Sequence, residues 1–232
     1  MTLIRRTLTP RVLLQVFLFV VLGPFLPLPI SGNWGWCGAW LYAVVLIVSF
    51  AVSRLLAARR YPDLLAERAR FMEHLDAKPW DRVLAPLIGI GSVLILVIAG
   101  LDERLDWSPG FGRPAEAISL VVILAGLALG SYALIENRFF SGVVRIQLDR
   151  GHQVVSGGPY RWVRHPGYVG AILTYVATPV FLDSQWALLP ALAFSVIMVV
   201  RTALEDRTLQ QELRGYHEYT QKVRYRLLPG IW

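Results

Sequence analysis

Long runs without a single charge, divided by short clusters of arginine and acid, set the pattern of this chain. No charged residue falls within residues 12–53, and residues 83–101 and 117–135 are equally bare. Two shorter apolar runs follow, 166–182 and 184–200, split by Asp183. A helix crosses the hydrocarbon of a bilayer in about 20 residues, so each longer run predicts a membrane span. The first run is too long for one span. Ser31-Gly32-Asn33-Trp34-Gly35-Trp36 interrupts it with turn formers and with tryptophans, which favour the headgroup level. The expectation is an all-α, polytopic integral membrane helix bundle. It has four spans, a C-terminal helical hairpin over 166–200 with marginally short arms, and a cytoplasmic C-terminal helix.

Charge fixes an orientation. With the N-terminus placed in the cytoplasm, Arg5, Arg6 and Arg11 are inside. So are Arg54, Arg59, Arg60, Arg68, Arg70, Lys78 and Arg82 after the second span, and the basic residues of 138–164 and of 201 onward. Of 23 lysines and arginines only Arg104 and Arg113 fall outside, as the positive-inside rule requires. Both termini are expected in the cytoplasm. The net charge of +7 then reports topology and contact with membrane lipids, not a nucleic-acid partner. The basic N-terminus precedes an apolar run too long, and too rich in proline, for a cleaved signal, so an uncleaved span is expected. Cys37 is the single cysteine and is read as packing. Gly126 and Gly130 form a small-xxx-small pair that lets helices approach.

The chain divides into a transmembrane scaffold, residues 1–135, and a region carrying the chemistry, residues 136–232. Residues 63–70 read as a helix at the membrane surface, 143–155 as a short hairpin or an extended loop, and 201–219 as a helix leaving the membrane. Polar residues concentrate at two places. Gly158-Pro159-Tyr160 is a tight turn, and Arg164-His165-Pro166 opens a helix whose first unpaired N–H groups suit an anion. Arg201 and Glu205 sit four apart on one helix face, at the end of the last apolar run. Each cluster alone is explained equally well by topology or by an interfacial ion pair. A hairpin that starts at Pro166 and returns near Val200 brings His165 and Tyr168 beside Arg201 and Glu205. Two polar clusters joined at the edge of hydrocarbon read as one functional site.

These residues carry a resemblance. Gly158-x-Tyr160-x-x-x-Arg164-His165-Pro166-x-Tyr168-x-Gly170, then Arg201-x-x-x-Glu205-Asp206-x-x-Leu209, then Tyr216-x-x-Tyr219, resembles the isoprenylcysteine carboxyl methyltransferase family, relatives of the phospholipid methyltransferases. The likeness spans about residues 136–232. It implies S-adenosyl-L-methionine as cofactor, in a cytoplasm-facing pocket. It also implies that Gln147, His152, Val154, Val155, Tyr160, His165, Pro166, Gly167, Tyr168 and Glu205 bind that cofactor. Arg201 would hold the substrate, and Arg201 with Glu205 would form the catalytic pair. Asp206 stands where the family usually has a second glutamate. It keeps the charge with a shorter reach.

The chemistry agrees with these residue types. Methyl transfer from a sulfonium is an in-line displacement that depends on alignment. A carboxylate acceptor is already ionised at neutral pH, and an arginine holds it bidentately. An amine acceptor would need a base, which Glu205 or His165 would have to supply. Gly89-Ile90-Gly91 lies inside an apolar span, so no dinucleotide fold is indicated, and no side-chain cluster has metal spacing. The leading expectation is carboxyl methylation of a lipid-like or prenylated substrate drawn from the bilayer. Phospholipid or amine N-methylation is the second reading, and a non-enzymatic membrane protein the third.

Overall fold

In hydrocarbon every backbone polar group must find a partner inside the protein, and a helix does this within one segment. The computed structural model describes residue 14 and residues 17–69 and 76–232. Arg5, Arg6, Arg11, Arg70 and the start of the first expected span lie outside the described residues. Four described helices are long and apolar enough to cross a membrane. They are α2 (Cys37–Arg60), α4 (Asp81–Leu105), α5 (Arg113–Glu136) and α7 (Leu188–Glu212). A shorter apolar helix, α6 (Pro166–Phe181), joins them. Three small helices complete the set: α1 (Pro27–Ser31), α3 (Pro62–Ala69) and α8 (Tyr216–Lys222).

Two expectations are corrected. The first span is not one continuous helix in its described part. It passes through a wide turn at Phe17–Leu22, a tight turn at Gly23–Phe25 and α1. Pro24, Pro27 and Pro29 each remove a backbone donor, so the helix cannot run through. The second arm of the hairpin is not marginal. The helix expected to end at residue 200 and the one expected to begin at 201 are a single helix, α7, of 25 residues. Pro190 falls in its first turn, where a missing N–H costs nothing, no glycine interrupts it, and Arg201, Asp206 and Glu212 are paired with charges from other segments. The break comes at Gly215, which takes φ 82°, and α8 starts at the next residue. The first arm, α6, is short as expected, with 16 residues.

α5 and α6 pack through glycine. A methyl group at Gly170 would stand 2.5 Å from the Gly126 carbonyl oxygen and 2.7 Å from the Gly130 nitrogen. The small residues of the Gly126–Gly130 pattern therefore do pack helices. Tyr42, Ile95, Ile123, Phe181, Phe194 and Met198 form the buried centre. Polar side chains there turn back on their own helices: Thr174 donates to the Gly170 carbonyl at 2.9 Å and Thr178 to that of Thr174 at 2.8 Å. At the far end of the bundle Ser184 and Ser108 donate to buried Asp102, at 2.5 and 2.7 Å, closing the α6–α7 turn onto α4.

The near end is held by charge. Arg60 pairs with Glu136 at 2.8 Å, Arg138 and Arg150 with Asp63 at 3.1 and 2.7 Å, and Lys78 with Glu212 at 2.6 Å. Arg145 sits buried between Glu67, Asp76 and Asp149. Burial disfavours its charge, but the three carboxylates outweigh that and hold it well above its ordinary pKa. Burial likewise pushes Asp63 up, and hydrogen bonds from Arg150 and Arg138 more than reverse it. These pairs pin the segment after α5 onto α3, the helix expected over 63–70. There is no strand among the described residues, so 143–155 takes the looped alternative, with one turn at Leu148–Arg150.

Candidate active site

Gly158 turns the chain at φ 54°, a conformation that favours glycine. The turn delivers Tyr160, buried, to the end of α5. Its hydroxyl takes a hydrogen bond from Asn137 Nδ2 at 3.1 Å, and its carbonyl accepts the Tyr219 hydroxyl at 2.6 Å. Burial raises the pKa of both phenols above the ordinary value, so they stay protonated. The chain then enters α6 at Pro166. Gly167 leaves room for Phe140: a methyl group there would stand 2.6 Å from the Phe140 ring. The Gly167 N–H has no backbone partner among the described residues. His165 and Tyr168 stack with ring centres 5.6 Å apart and planes 5° from parallel.

α7 supplies the opposite wall. The Tyr168 hydroxyl donates to Glu205 Oε2. One turn earlier, Arg201 lies over the Tyr168 ring, 5.4 Å from its centre. The hairpin thus brings His165, Tyr168, Arg201 and Glu205 together as expected. The anticipated interfacial pair between Arg201 and Glu205 does not form. Arg201 instead donates to both oxygens of Asp81, at 2.7 and 3.0 Å, and to the Gly142 carbonyl at 3.0 Å. Asp81 starts α4, and its Oδ2 also accepts the Val144 N–H at 2.6 Å.

Asp206 is the hub of the region. Its carboxylate has no exposed surface. It accepts Arg164 at 2.7 and 2.9 Å, Arg226 at 2.8 Å, Gln210 at 2.7 Å and the Tyr216 hydroxyl at 3.1 Å, with His165 Nε2 at 3.3 Å. A buried charge this heavily paired is not available to a ligand, and the shorter side chain fits a site already filled by donors.

The loop after α5 makes the third wall. Gln147, almost fully buried, donates to the Phe139 carbonyl at 2.7 Å, and its oxygen accepts from Arg150. His152 packs on the Phe139 ring, centres 4.6 Å apart, and its Nδ1 accepts the Gln147 N–H at 3.3 Å. Burial, helped by Arg150 and Arg145, pulls its pKa down to about 4, so its imidazole is neutral at physiological pH. The backbone of Gln153, Val154 and Val155 makes no hydrogen bond among the described residues.

Between the three walls lies an open cleft with about 800 Å³ of unfilled space, mouth included. Gln147, His152, Val154, Val155, Tyr160, His165, Gly167, Tyr168 and Glu205 all line it. Pro166 and Arg201 do not. Pro166 is buried under the start of α6, and Arg201 is turned to Asp81. The cleft also takes in Leu209 of the second motif, and Asn137, Phe139 and Phe140, which the motifs did not single out. Only the Phe139-Phe140 pair just past a span end hints at this in the sequence. Asp81 is missed for a plainer reason: it is one carboxylate in a mixed-charge loop, 120 residues from its partner.

Comparisons with known proteins cover the same stretch of the chain. A family model described as the isoprenylcysteine carboxyl methyltransferase (ICMT) family matches residues 118–211. A probable protein-S-isoprenylcysteine O-methyltransferase of Oryza sativa subsp. indica is 33% identical over 191 residues, covering 80% of this chain and 93% of the relative. Protein-S-isoprenylcysteine O-methyltransferase B of Arabidopsis thaliana is 31% identical over 148 residues, 60% of this chain and 70% of its own. A solved structure of the eukaryotic intramembrane Ras methyltransferase ICMT overlays with a TM-score of 0.47 at 19% identity, over 94% of this chain and 85% of that one. One-third identity sustained over nearly the whole rice relative, with the family model lying across α5, α6 and α7, means that this chain belongs to the isoprenylcysteine carboxyl methyltransferase family.

Proposed function

We propose that the protein methylates the free carboxylate of an isoprenylcysteine-type acceptor that enters from the bilayer, using S-adenosyl-L-methionine taken from the cytoplasm. The observation that carries this reading is the cleft walled by the start of α6, the loop after α5 and Glu205. It stands beside Arg201 and Tyr168, at the end of apolar helices.

The residues present fit the cofactor. Phe139, Tyr160 and His152 offer aromatic and apolar surface to a nucleobase, and the unpaired backbone of Gln153–Val155 offers an edge to its polar atoms. Glu205 keeps Oε1 without a hydrogen-bond partner among the described residues, an acceptor for a hydroxyl or an ammonium group. The unpaired Gly167 N–H at the start of α6 suits a carboxylate end. When bound, the cofactor supplies a methyl group activated on a sulfonium. Asn137 and Tyr219 hold Tyr160 in place, and Asp206 fixes Arg164 and His165 beneath it. Arg201, clamped by Asp81, keeps Nη1 without a partner among the described residues and directs it toward the acceptor. No base is needed, because the acceptor carboxylate arrives ionised. The charge of the reactants cancels as the bond forms, so apolar surroundings at the reacting atoms favour the transition state. The charge-paired end that carries the cleft lies on the cytoplasmic side, with both termini.

The test is incubation of membranes holding the protein with methyl-labelled cofactor and N-acetyl-S-farnesylcysteine. The expected product releases its label as methanol in alkali, the mark of an ester. Alkali-stable label in the lipid fraction would instead establish N-methylation.

A further inference from the structure

Two arginines at the cleft end of the bundle have no carboxylate partner among the described residues. Arg54 sits late in α2, a helix whose Val48, Val52, Leu55 and Leu56 are exposed apolar side chains. Its guanidinium rests on the Phe50 ring, 4.5 Å from the centre, and donates only to the Ser53 hydroxyl at 3.3 Å. Arg68, in α3, rests on the Phe140 ring at 5.2 Å and donates only to the Phe140 carbonyl at 3.2 Å. Phe140 lines the cleft and abuts Gly167. Among the described residues no carboxylate pairs with either arginine. Other arginines at this end of the bundle, Arg60, Arg138, Arg145, Arg150, Arg164, Arg201 and Arg226, each have a carboxylate partner.

The two cations also lie within electrostatic reach of each other, and Arg68 within reach of Arg201. Burial, and then Arg201, pull Arg68 down to about 10, so it stays charged at neutral pH. Arg201 in turn feels Asp81 and Glu205. Of these three guanidinium groups only Arg201 has a carboxylate partner among the described residues. Gathering like charges at the edge of hydrocarbon is costly unless an anion joins them.

We infer that Arg68 and Arg54 bind the carboxylate of the methyl acceptor, completing the site that Arg201 begins. The inference rests on the proposed function and deepens it. An acceptor carboxylate supplies the anion that Arg68 and Arg54 lack among the described residues. As one carboxylate oxygen bonds to the methyl carbon, the bond from that carbon to the sulfonium sulfur breaks and its electron pair stays on sulfur. The ester formed is neutral, so it no longer answers the arginines and leaves for the bilayer. The same charge that selects the acid thus releases the product.

The full-length protein in nanodiscs of neutral phosphatidylcholine provides the test. N-acetyl-S-farnesylcysteine serves as acceptor, and its carboxamide as a neutral competitor. Arg68→Gln and Arg54→Gln should each raise the acceptor KM by about tenfold or more, the scale of a lost charge-assisted hydrogen bond. The cofactor KM and the inhibition constant of the carboxamide should stay within about twofold, and Arg68→Lys should recover part of the loss. S-adenosylhomocysteine binding reports whether each variant is folded. If one variant does not fold, the other carries the same measurement. An acceptor KM unmoved in a folded variant, or moved together with the carboxamide constant, overturns the assignment. So does an effect present only in nanodiscs with anionic lipid, which gives the arginines to headgroup phosphate. If the unaltered protein binds S-adenosylhomocysteine but never methylates the acceptor, the proposed function itself falls, and this assignment with it.

Discussion

Arg201 and Asp81 form a two-pronged ion pair, Nε to Oδ1 at 2.7 Å and Nη2 to Oδ2 at 3.0 Å, joining α7 to the start of α4. Asp81 is fully buried and also holds the Val144 N–H, so one carboxylate ties the helix bearing Glu205 to the loop bearing His152. Asp81→Ala leaves Arg201 uncompensated. The expected cost is about 3–5 kcal/mol of stability, the scale for breaking a buried pair. Thermal unfolding in detergent measures it. A melting temperature unchanged from the parent would show that the pair contributes nothing to the fold.

Asp206→Glu is expected to be harmful although it restores the glutamate usual in the family. The carboxylate has no exposed surface, and Arg164, Arg226, Gln210 and Tyr216 already surround it. An added methylene has nowhere to go, and overpacking costs about 1–3 kcal/mol. S-adenosylhomocysteine affinity should fall with stability, because Arg164 and His165 shift together. Calorimetric titration with parent-like affinity would show that the hub has slack.

Stability should fall as the medium becomes acid. His152 has a folded pKa of about 4 against an ordinary value of 6.5, so the unfolded chain binds more protons between those values. Stability then rises with pH through this window. The contribution is full above about 6.5 and is lost as pH falls toward about 4. His152→Gln should flatten that part of the profile of melting temperature against pH. An identical profile in the variant would assign the effect elsewhere.

Gly170→Ala should separate α5 from α6. Its methyl group would meet backbone atoms of Gly126 and Gly130 at 2.5 and 2.7 Å, and backbone does not give way as a flexible side chain does. A loss of about 1–3 kcal/mol is expected. Cofactor affinity should drop as well, since α6 carries Gly167 and Tyr168 into the cleft. Melting and binding measured together check both, and a variant with unaltered melting would refute the close approach.

Cys37 offers a test of orientation without any substitution. It is exposed and opens α2 at the end of the bundle opposite the cleft. With the cleft in the cytoplasm, a membrane-impermeant maleimide should label Cys37 in intact cells. Labelling only after permeabilisation would invert the topology.

The charge-free runs were enough to place α2, α4, α5 and α6, because hydrocarbon thickness sets helix length and few residues survive within it. The 158–170 motif likewise marked Tyr160, His165, Gly167 and Tyr168, since a glycine turn followed by a proline-started helix is a local instruction. The end of α7 was not legible. Arg201, Glu205 and Asp206 look like the edge of a membrane when read along the chain, yet they lie within one unbroken helix. What decides this is long-range pairing, Arg201 with Asp81 and Asp206 with Arg164 and Arg226, and no local pattern records which distant charge answers which.

The sequence by itself therefore determined that the protein is a membrane helix bundle, and which short stretches carry its chemistry. Periodicity, helix length and turn geometry are properties of neighbouring residues. Only the tertiary structure decided how the charges are shared: Asp206 is spent on structure, Arg201 is half spent on Asp81, and Arg68 and Arg54 have no carboxylate partner among the described residues. Electrostatic pairing depends on distance in space and on exclusion of water, and both exist only once the helices have packed.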